Sequence, residues 1–508
     1  MKYTVTGRQM KTIDRETIQA VGIPSMVLME RAALAVAEAI EADFLPVRPD
    51  LPIVCVCGSG NNGADGVAVG RILHSRGWTV QVLLAGDAQD YTEELQQQIR
   101  IAENMSVPLG VVAGNPDPVK GSKIIVDALF GIGLSRPVSG SFEELIETIN
   151  ANAAARVYAV DIPSGIHADN GTVMGAAVHA DVTVSFGYAK TGQLFYPGKQ
   201  HCGKLKVKDI GFPEEAFLTA GYDAVYYGPE DRQQIPDRPA YSNKGTFGKV
   251  LIVAGSEGMS GAAYLSALAA YRSGAGLVKI LTAGGNRTIL QTQLPEAIVA
   301  AYPVEGGNAV EAFWEEQCKW ASVIVLGPGL GQEDYIETLV LAVLTHAYVP
   351  IVLDADALNA VAHYPFLTGY FTENIIVTPH LGEMGRLAGR KIPDLAADVL
   401  RSARDYALLH GITCVLKDAV TVVAGREGDC YINVSGSSAM AKGGSGDVLT
   451  GVIAGLLALG MDEEEAARLG VYIHGLAGEA AAAGGIHGVT ASDLIACIPG
   501  QMEVAIKS

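Results

Sequence analysis

Short apolar runs alternate with longer amphipathic segments over most of this chain. The runs lack the polar alternation of a half-exposed strand, so they predict a parallel sheet covered on both faces. The strands predicted in the first half are 53–57, 79–84, 123–127, 156–161, 182–186 and 204–207. The predicted helices are 8–20, 25–42, 64–75, 92–104 and 142–151. This order favours a doubly wound, Rossmann-like α/β domain.

A second alternation of the same kind begins near residue 248 and runs to the end of the chain. Its predicted strands are 248–255, 323–326, 350–354, 375–378, 413–416 and 421–423. The segment between the two alternations is rich in proline, charge and tyrosine, which is typical of a linker. We therefore predict domains at 1–215 and 236–508 joined by a linker at 216–235. The two domains share no loop motif, so they are not tandem copies.

Composition narrows the class of protein. The 508 residues are 49% hydrophobic and 18% charged, which fits two or three folded domains. A net charge of −19 argues against binding to nucleic acid or to an anionic membrane. The amino terminus lacks the apolar core of a signal peptide, and no apolar stretch has the pattern of a membrane span. We expect a cytoplasmic protein.

The cysteines also agree with the expectation of a cytoplasmic protein. The seven cysteines are an odd number and do not resemble a disulfide framework. Cys55 and Cys57 face the same side of a predicted strand, where buried thiols are favoured over metal ligands.

A glycine-rich loop, Gly58-Ser-Gly-Asn-Asn-Gly-Ala-Asp-Gly66, directly follows the first apolar run. Its letters fit the dinucleotide-binding fingerprint, but one such match is weak evidence. Asn61, Asn62 and Asp65 supply side-chain oxygens, and Asp65 would repel a pyrophosphate at that helix start. Such a turn suits a cation or a sugar hydroxyl better. An ordinary tight turn after a strand is the simpler alternative.

Two more acidic residues, Asp127 and Asp161, end predicted strands. Ligands of an open parallel sheet bind at the carboxyl ends of its strands, so Asn62, Asp127 and Asp161 should converge on one crevice. A carboxylate there can act as a general base or as a cation ligand. Each aspartate alone could simply cap its turn.

The second half has a different loop, Gly443-Gly-Ser-Gly-Asp447, directly before an apolar helix. Its backbone N–H groups could stabilise a transferring phosphoryl group, with Asp447 as the general base for an acceptor hydroxyl. Lys442 precedes the glycines, so the loop is not a P-loop. Further candidate segments follow predicted strands at 327–331, 354–358, 378–380 and 417–421. Each could be a turn, and a lone His380 is more often structural, but their shared placement favours one cleft.

The motifs of the first half, completed by Asp127-Ala-Leu-Phe-Gly-Ile-Gly133 and Asp161-Ile-Pro-Ser-Gly165, resemble the NAD(P)H-hydrate epimerase family over about residues 1–215. The resemblance implies a catalytic Asp161 and a potassium site formed by Asn62, Asp127 and Ser164. It also implies hydrate contacts from Asn61, Asn62, Gly63, Ala64, Asp65, Gly131, Ile132, Gly133, Leu134, Ser135, Arg136, Pro137 and Asp161. The family often has glycine where this chain has Ala64.

The second half resembles the ribokinase-like fold, and within it the ADP-dependent NAD(P)H-hydrate dehydratases, over about residues 236–508. The resemblance implies a hydrate site at Ala262, Gly329, His380 and the catalytic Asp447. It implies ADP contacts from Lys417, Asp418, Ala419, Val420, Thr421, Ser437, Ser438, Ala439, Met440, Ala441, Lys442, Gly443, Gly444, Ser445 and Gly446. ADP would be a co-substrate with Mg²⁺, and a homo-oligomer, a tetramer or an octamer, is expected.

Together the halves suggest one repair pathway for hydrated NADH and NADPH (NADHX and NADPHX). The first domain would interconvert the R and S hydrates, and the second would dehydrate the S form with ADP to give NAD(P)H, AMP and phosphate. Two alternatives remain open at this point. The second domain could be a small-molecule kinase, or the first could be a nucleotide sensor without turnover.

Overall fold

The computed structural model describes residues 1–44, 50–112, 117–303 and 307–503. The chain divides into two compact units. The N-terminal unit is Tyr3–Ala224, and the C-terminal unit is Val225–Ser508 together with Met1–Lys2. The boundary lies inside the predicted linker 216–235, which contains regular structure, including a strand and a 3-10 helix. The prolines and charged residues of this segment therefore lie in short secondary-structure elements and in the turns that join them.

The strands of the N-terminal unit are β1 (Lys2–Val5), β2 (Ile53–Cys57), β3 (Val80–Leu84), β4 (Leu109–Val111), β5 (Ile124–Ala128), β6 (Arg156–Val160), β7 (Val182–Phe186), β8 (Ala189–Lys190) and β9 (Lys204–Lys208). Its helices are α1 (Gly7–Glu16), α2 (Ser25–Asp43), α3 (Asn61–Ser75), α4 (Glu93–Asn104), α5 (Asp117–Gly121), α6 (Ser141–Ala151), α7 (Gly198–Cys202) and α8 (Glu214–Ala220). A π-helical turn, Thr17–Val21, extends α1.

Seven of these strands form a parallel sheet in the order β4-β3-β2-β5-β6-β7-β9. Alternate residues of β5 enter opposite cores: Ile124 and Val126 belong to one apolar cluster and Ile125 to the other. Both faces of the sheet are therefore covered, which explains the uninterrupted apolar runs. The predicted doubly wound α/β architecture is confirmed.

Two local differences from the sequence prediction bear on the site. Helix α3 begins at Asn61, three positions before the predicted start, with Gly60 as its N-cap. The early start is possible because Gly63 packs on the Gly58 backbone, where an added Cβ would lie 1.9 Å from the carbonyl oxygen. Strand β6 ends at Val160, and Asp161 leaves the sheet with a left-handed φ of 65°.

The strands of the C-terminal unit are β10 (Ala224–Tyr226), β11 (Lys249–Val253), β12 (Leu277–Thr282), β13 (Ile298–Ala301), β14 (Val323–Leu326), β15 (Ile351–Leu353), β16 (Ile375–Val377), β17 (Thr413–Leu416), β18 (Val422–Ala424) and β19 (Cys430–Ile432). Its helices are α9 (Ser260–Arg272), α10 (Arg287–Gln293), α11 (Gly307–Trp320), α12 (Tyr335–His346), α13 (Asp356–His363), α14 (Leu381–Ala388), α15 (Ile392–Ala396), α16 (Val399–His410), α17 (Ser445–Ala458), α18 (Glu463–Ala481) and α19 (Ala491–Met502).

The central sheet of this unit is also parallel, in the order β13-β12-β11-β14-β15-β16-β17. It continues through the antiparallel pairs β17-β18 and β18-β19. Its strand ends therefore bring the loops after β11, β14, β15, β16 and β17 to one edge, while α17 contacts α9 and α18. This edge carries the candidate residues of the second half.

Among the described residues, no helix combines the length and the apolar character needed to cross a membrane. All seven cysteines lie in the described part of the chain, and none forms a disulfide. Six of them are buried and Cys497 is partly exposed. The expectation of buried thiols is met at Cys55 and Cys57.

Candidate active sites

A cavity of about 710 Å³ opens beside the carboxyl ends of β2, β5 and β6 in the N-terminal unit. The predicted residues that line it are Asn61, Asn62, Asp65, Gly131, Ile132, Gly133, Leu134, Ser135, Arg136, Pro137 and Asp161. They come from the start of α3, the loop after β5 and the end of β6. Three strand ends therefore converge on one crevice, as the sequence predicted.

Gly63 and Ala64 do not line this cavity. The methyl group of Ala64 is fully buried in the apolar core between the helices and the sheet. Gly63 lies against the Gly58 backbone, as described above. Because the residues belong to a helical turn, positions 63 and 64 face the protein while Asn61, Asn62 and Asp65 border the cavity. A contact from Gly63 or Ala64 to a ligand therefore has no support in the structure.

Asp161 is held rigidly at the cavity wall. Its Oδ1 accepts a hydrogen bond from Phe186 N at 3.0 Å and another from Lys190 Nζ. Its backbone carbonyl accepts from Gln193 Nε2 at 2.7 Å. No described residue donates to Oδ2, which leaves that oxygen available to a ligand. These contacts hold the left-handed backbone, which is costly for a residue other than glycine.

Several residues that the sequence reading missed also line the cavity. Helix α1 contributes Lys11 and Asp14, α4 contributes Glu94, and β8 contributes Lys190. Residues 11 and 14 lie far from the recognisable motifs and reach the cavity only through tertiary packing. Lys190 had a weak signal, because it follows the end of another strand, β7, at the same edge of the sheet.

The carboxyl groups around the cavity differ in their partners. Burial, and then the charges of Asp161 and Asp14, raise the pKa of Asp65 well above its usual range. Burial, and then Glu94 and Asp161, also raise the pKa of Asp14. Asp161 is paired with Lys190, whereas Asp65 forms no ion pair within the described ranges. The two carboxyl groups on the same cavity wall therefore differ: Asp161 has a cationic partner, whereas the surroundings of Asp65 favour its protonated form.

The predicted cation ligands lie beside this cavity. Asp127 is fully buried in β5, and its carboxylate accepts from Ser164 N at 2.8 Å and Ser164 Oγ at 2.6 Å. Burial raises the pKa of Asp127 to about 6, although bonds from Ser164 and Leu129 oppose the shift. Asn62 adjoins the same loop, since an added Cβ at Gly131 would lie 3.2 Å from its Oδ1.

This environment fits a bound monovalent cation. Asp127 has no positively charged partner among the described residues, so a cation would compensate its buried charge. The buried Nδ2 of Asn62 has no hydrogen-bond partner in the described structure. Exchanging the nitrogen and oxygen of this amide would place an oxygen there, and such assignments follow from the surrounding partners. One carboxylate with neutral oxygens suits a monovalent ion better than a divalent one.

In the C-terminal unit, the buried Asp354 and the partly exposed Lys417 form an ion pair at the carboxyl ends of β15 and β17. Lys417 Nζ donates to Asp354 Oδ1 at 2.8 Å, and Thr450 Oγ1 donates to Asp354 Oδ2 at 2.9 Å. Burial alone would raise the pKa of Asp354, but Lys417, Thr378 and Thr450 hold it below its usual range. The pairing of Asp354 with Lys417 was not predicted, although both residues belong to candidate segments, 354–358 and 417–421.

The glycine loop lies directly over this ion pair. An added Cβ at Gly446 would lie 3.3 Å from Lys417 Nζ and 3.9 Å from Asp354 Oδ2. Gly444, with a φ of 89°, is the N-cap of α17, so the first N–H groups of that helix have no helical acceptor. Such a helix start can bind a phosphoryl group.

Asp447 lies in the first turn of α17. Burial and then the neighbouring Asp354 raise the pKa of Asp447 to about 7, with Lys417 acting in the opposite direction. A carboxylate with such a pKa is suited to accept a proton near neutral pH.

The other predicted hydrate residues fall into two groups. An added Cβ at Gly329 would lie 2.9 Å from Ala262 Cβ, so these two positions are in contact. His380 caps α14, and its Nδ1 accepts from Gly382 N at 2.9 Å. Burial, and then Lys417, lower the pKa of His380. A bridge between His380 and Lys417 links the cap to the ion pair.

The segments predicted to bind the nucleotide are only partly exposed to a ligand. Val420 and Ala439 are buried in the protein, so their side chains do not reach a cleft. Ser437 Oγ caps the short 3-10 turn that contains Ala439. Ser445 Oγ lies 3.4 Å from Nε2 of the buried His474, whose pKa is lowered by burial to about 4. His474 is therefore neutral near pH 7, and it contacts the glycine loop through Ser445.

Comparisons with known proteins match both units. A family model described as YjeF-related protein N-terminus matches residues 25–192, and one described as NAD(P)H-hydrate dehydratase matches residues 250–500. A bifunctional NAD(P)H-hydrate repair enzyme from Moorella thermoacetica is 37% identical, over 98% of this chain and 96% of that protein. The enzyme of the same description from Escherichia coli K12 is 33% identical, over 96% and 91% of the two chains.

A solved structure, described as the ADP/ATP-dependent NAD(P)H-hydrate dehydratase from Bacillus subtilis co-crystallized with ATP and Mg²⁺, is also similar. It is 32% identical and covers 55% of this chain and 97% of its own, with a TM-score of 0.48.

Proposed function

This chain belongs to the family of bifunctional NAD(P)H-hydrate repair enzymes, and we propose that its N-terminal unit carries the epimerase site and its C-terminal unit the dehydratase site. The full-length similarity to relatives of that description supports both activities in one chain. The order of the two family matches supports the assignment of one activity to each unit. The observation that carries the proposal is the pair of separate strand-end sites, each with an aspartate suited to proton transfer.

The epimerase site can invert the hydroxyl-bearing carbon C6 by opening the ring. In the step that we propose, Oδ2 of Asp161 takes the hydroxyl proton, the C6–N1 bond breaks and C6 becomes an aldehyde carbon. The protonated carboxyl of Asp65 gives its proton to N1. Rotation about the C5–C6 bond and the reverse steps close the ring on the other face. The raised pKa of Asp65 and the pairing of Asp161 with Lys190 support this division of roles.

The dehydratase depends on an adenine nucleotide, and we propose ADP with Mg²⁺ as the phosphoryl donor. Asp447 takes the proton of the C6 hydroxyl while the terminal phosphoryl group of ADP transfers to that oxygen and AMP leaves. Phosphate then departs with the C6–O bonding electrons as C5 loses a proton, which gives NAD(P)H. Phosphate is a far better leaving group than hydroxide. The N–H groups at the start of α17 would stabilise the transferring group, and Mg²⁺ would neutralise phosphate charge.

The central test is incubation of the full-length protein with racemic NADH hydrate and ADP. Absorbance of the reduced nicotinamide should return for all of the sample, because epimerisation supplies the S form. Without nucleotide, chromatography should show interconversion of R and S but no NADH. A phosphorylated product without return of absorbance would favour the small-molecule kinase. Failure to interconvert R and S would favour the sensor. A cytoplasmic location and a homo-oligomeric state remain predictions.

The dehydration rate should depend on pH through Asp447. Only the carboxylate form can accept the hydroxyl proton, and the pKa of Asp447 is about 7. The rate should therefore rise by about tenfold per pH unit below that value and level off above it. The measurement is kcat/KM for the S hydrate across this range at saturating ADP. A flat profile would contradict the assignment of Asp447 as the base.

Epimerisation should depend on a monovalent cation held at Asn62, Asp127 and Ser164. Asp127→Asn removes the buried carboxylate and should weaken potassium binding by about tenfold or more. The measurement is the epimerisation rate as potassium replaces tetramethylammonium at constant ionic strength. The rate of the parent enzyme should increase with potassium and saturate. Equal rates in both salts for the parent enzyme would count against the site.

A further inference from the structure

The buried lysine of the epimerase cavity, Lys190, neither gives nor takes a proton in the proposed transfers. Lys190 is completely inaccessible to solvent, and its Nζ forms an ion pair with Asp161. Nζ donates to Asp161 Oδ1, to Ser185 Oγ at 3.0 Å and to the Phe186 carbonyl at 3.3 Å. Burial lowers the pKa of Lys190, and its contact with Asp161 opposes that shift. A buried ion pair of this kind is weak evidence for stability, because desolvation offsets the attraction.

Lys190 belongs to a hydrogen-bond network that includes Asp161. Gln193 donates through Nε2 to the Asp161 carbonyl at 2.7 Å, and its Oε1 accepts from Lys190 N at 2.8 Å. The same Oε1 accepts from Ser185 Oγ at 3.1 Å. The turn that begins at Lys190 therefore holds both the backbone and the carboxylate of Asp161. This network fixes a left-handed residue at the cavity wall and occupies only one of its two carboxylate oxygens.

Two acidic side chains from other elements interact electrostatically with Asp161: Asp14 from α1 and Asp65 from α3. Glu94 from α4 acts in turn on Asp14, and Lys11 and Arg136 also line the cavity. Lys190 from β8 is the cation in direct contact with the Asp161 carboxylate. Without Lys190, the Asp161 carboxylate would lie beside the acidic side chains of Asp14 and Asp65 with no cation in contact.

We propose that Lys190 is a positioning residue of the epimerase site, which holds Oδ1 of Asp161 so that Oδ2 faces the hydrate, and which places a counter-charge beside that carboxylate. This inference rests on the proposed epimerase function of the N-terminal unit. It predicts that Lys190 acts on the rate of inversion and on its pH dependence, and has little effect on substrate affinity.

The test compares Lys190→Met, Lys190→Gln and Lys190→Arg in the full-length enzyme. For Met, kcat of epimerisation should fall by about 30-fold or more, because the base loses its fixed position. KM should stay within about threefold, and the acid limb of the pH profile should move up by about one unit or more. Lys190→Gln can still donate a hydrogen bond to Asp161, but it lacks the charge, so its acid limb should move up in the same way. Lys190→Arg keeps the charge and should leave the acid limb of the pH profile in place, even where the larger side chain lowers kcat.

The controls separate positioning from folding. Lys206→Met removes a partly exposed lysine of the same unit, paired with Asp43, and should leave epimerisation unchanged. Dehydration of the S form reports the C-terminal unit in every variant, and thermal unfolding reports the fold. If Lys190→Met fails to fold, Lys190→Gln decides the question.

The inference fails if neutral variants fold, keep the acid limb in place and retain kcat within about threefold. It also fails if only KM changes. Absence of epimerisation in the parent enzyme would instead overturn the proposed function, so the two failures are distinguishable.

Discussion

Asp447→Asn should lower the rate of NAD(P)H-hydrate dehydration by at least about 100-fold, which is the range expected when a general base is lost. Asparagine keeps the shape of the side chain but cannot accept the hydroxyl proton. Burial and Asp354 already give the Asp447 carboxyl a pKa of about 7, so this group is set for proton transfer at neutral pH. Return of nicotinamide absorbance with ADP and the S hydrate is the measurement.

A matched control exists in the same unit. Asp462 caps α18, where it accepts from Glu465 N, and asparagine is an equally good cap. Asp462→Asn should therefore leave both activities near their parent values. Epimerisation should survive in Asp447→Asn because its site lies in the N-terminal unit. Near-normal dehydration by Asp447→Asn would show that another group takes the proton.

Asp161→Asn should lower epimerisation by at least about 100-fold while dehydration of the S form continues. A racemic hydrate should then react in two phases, with a fast S half and an R half that is limited by spontaneous inversion. Asparagine retains an oxygen for the Phe186 N–H, but it leaves the ammonium of Lys190 without its counter-charge. Chromatographic separation of R and S over time is the measurement, and thermal unfolding checks the fold.

Asp181→Asn is the control for this substitution. Asp181 in the N-terminal unit accepts a hydrogen bond from Val157 N at 2.8 Å and does not line the cavity. An asparagine amide in place of this carboxylate should therefore be tolerated. A mixture of Asp161→Asn and Asp447→Asn should restore complete conversion of the racemate, since each variant supplies the activity that the other lacks. A single-phase reaction by Asp161→Asn alone would assign inversion to another residue.

The sequence was sufficient to predict the α/β architecture because fully buried strands appear as continuous apolar runs. It also identified the crevice through Asn62 and Asp161, since the ends of parallel strands meet at one edge, while Asp127 lies buried beside it. The start of α3 was placed too late because the close contact of Gly63 with the Gly58 backbone has no signature in local sequence. Glycine and asparagine there indicated a turn, but the approach of Gly63 to the Gly58 backbone allows the helix to begin at Asn61.

The site residues that the sequence did not predict were missed for a different physical reason. Asp14 and Lys190 reach the epimerase cavity from α1 and β8, elements that contact it only after the chain has folded. The pairing of Asp354 with Lys417 likewise joins the ends of β15 and β17. Long-range charge pairs of this kind cannot be read from spacing along the chain. The functions of the glycine loops and of the other motifs could be predicted from the sequence, because the residues of each motif lie within one loop.

The burial of the cysteines has a practical consequence for handling this protein. Reaction with peroxide, maleimide or iodoacetamide requires a thiolate that solvent can reach. Burial raises the pKa of Cys55 and of Cys202 to about 12, and that of Cys318 to about 11, so these thiols stay protonated and shielded. Cys497 on α19 is the partly exposed thiol of the seven. Purification in air should therefore be tolerated, and Cys497 offers a single attachment point for a fluorophore.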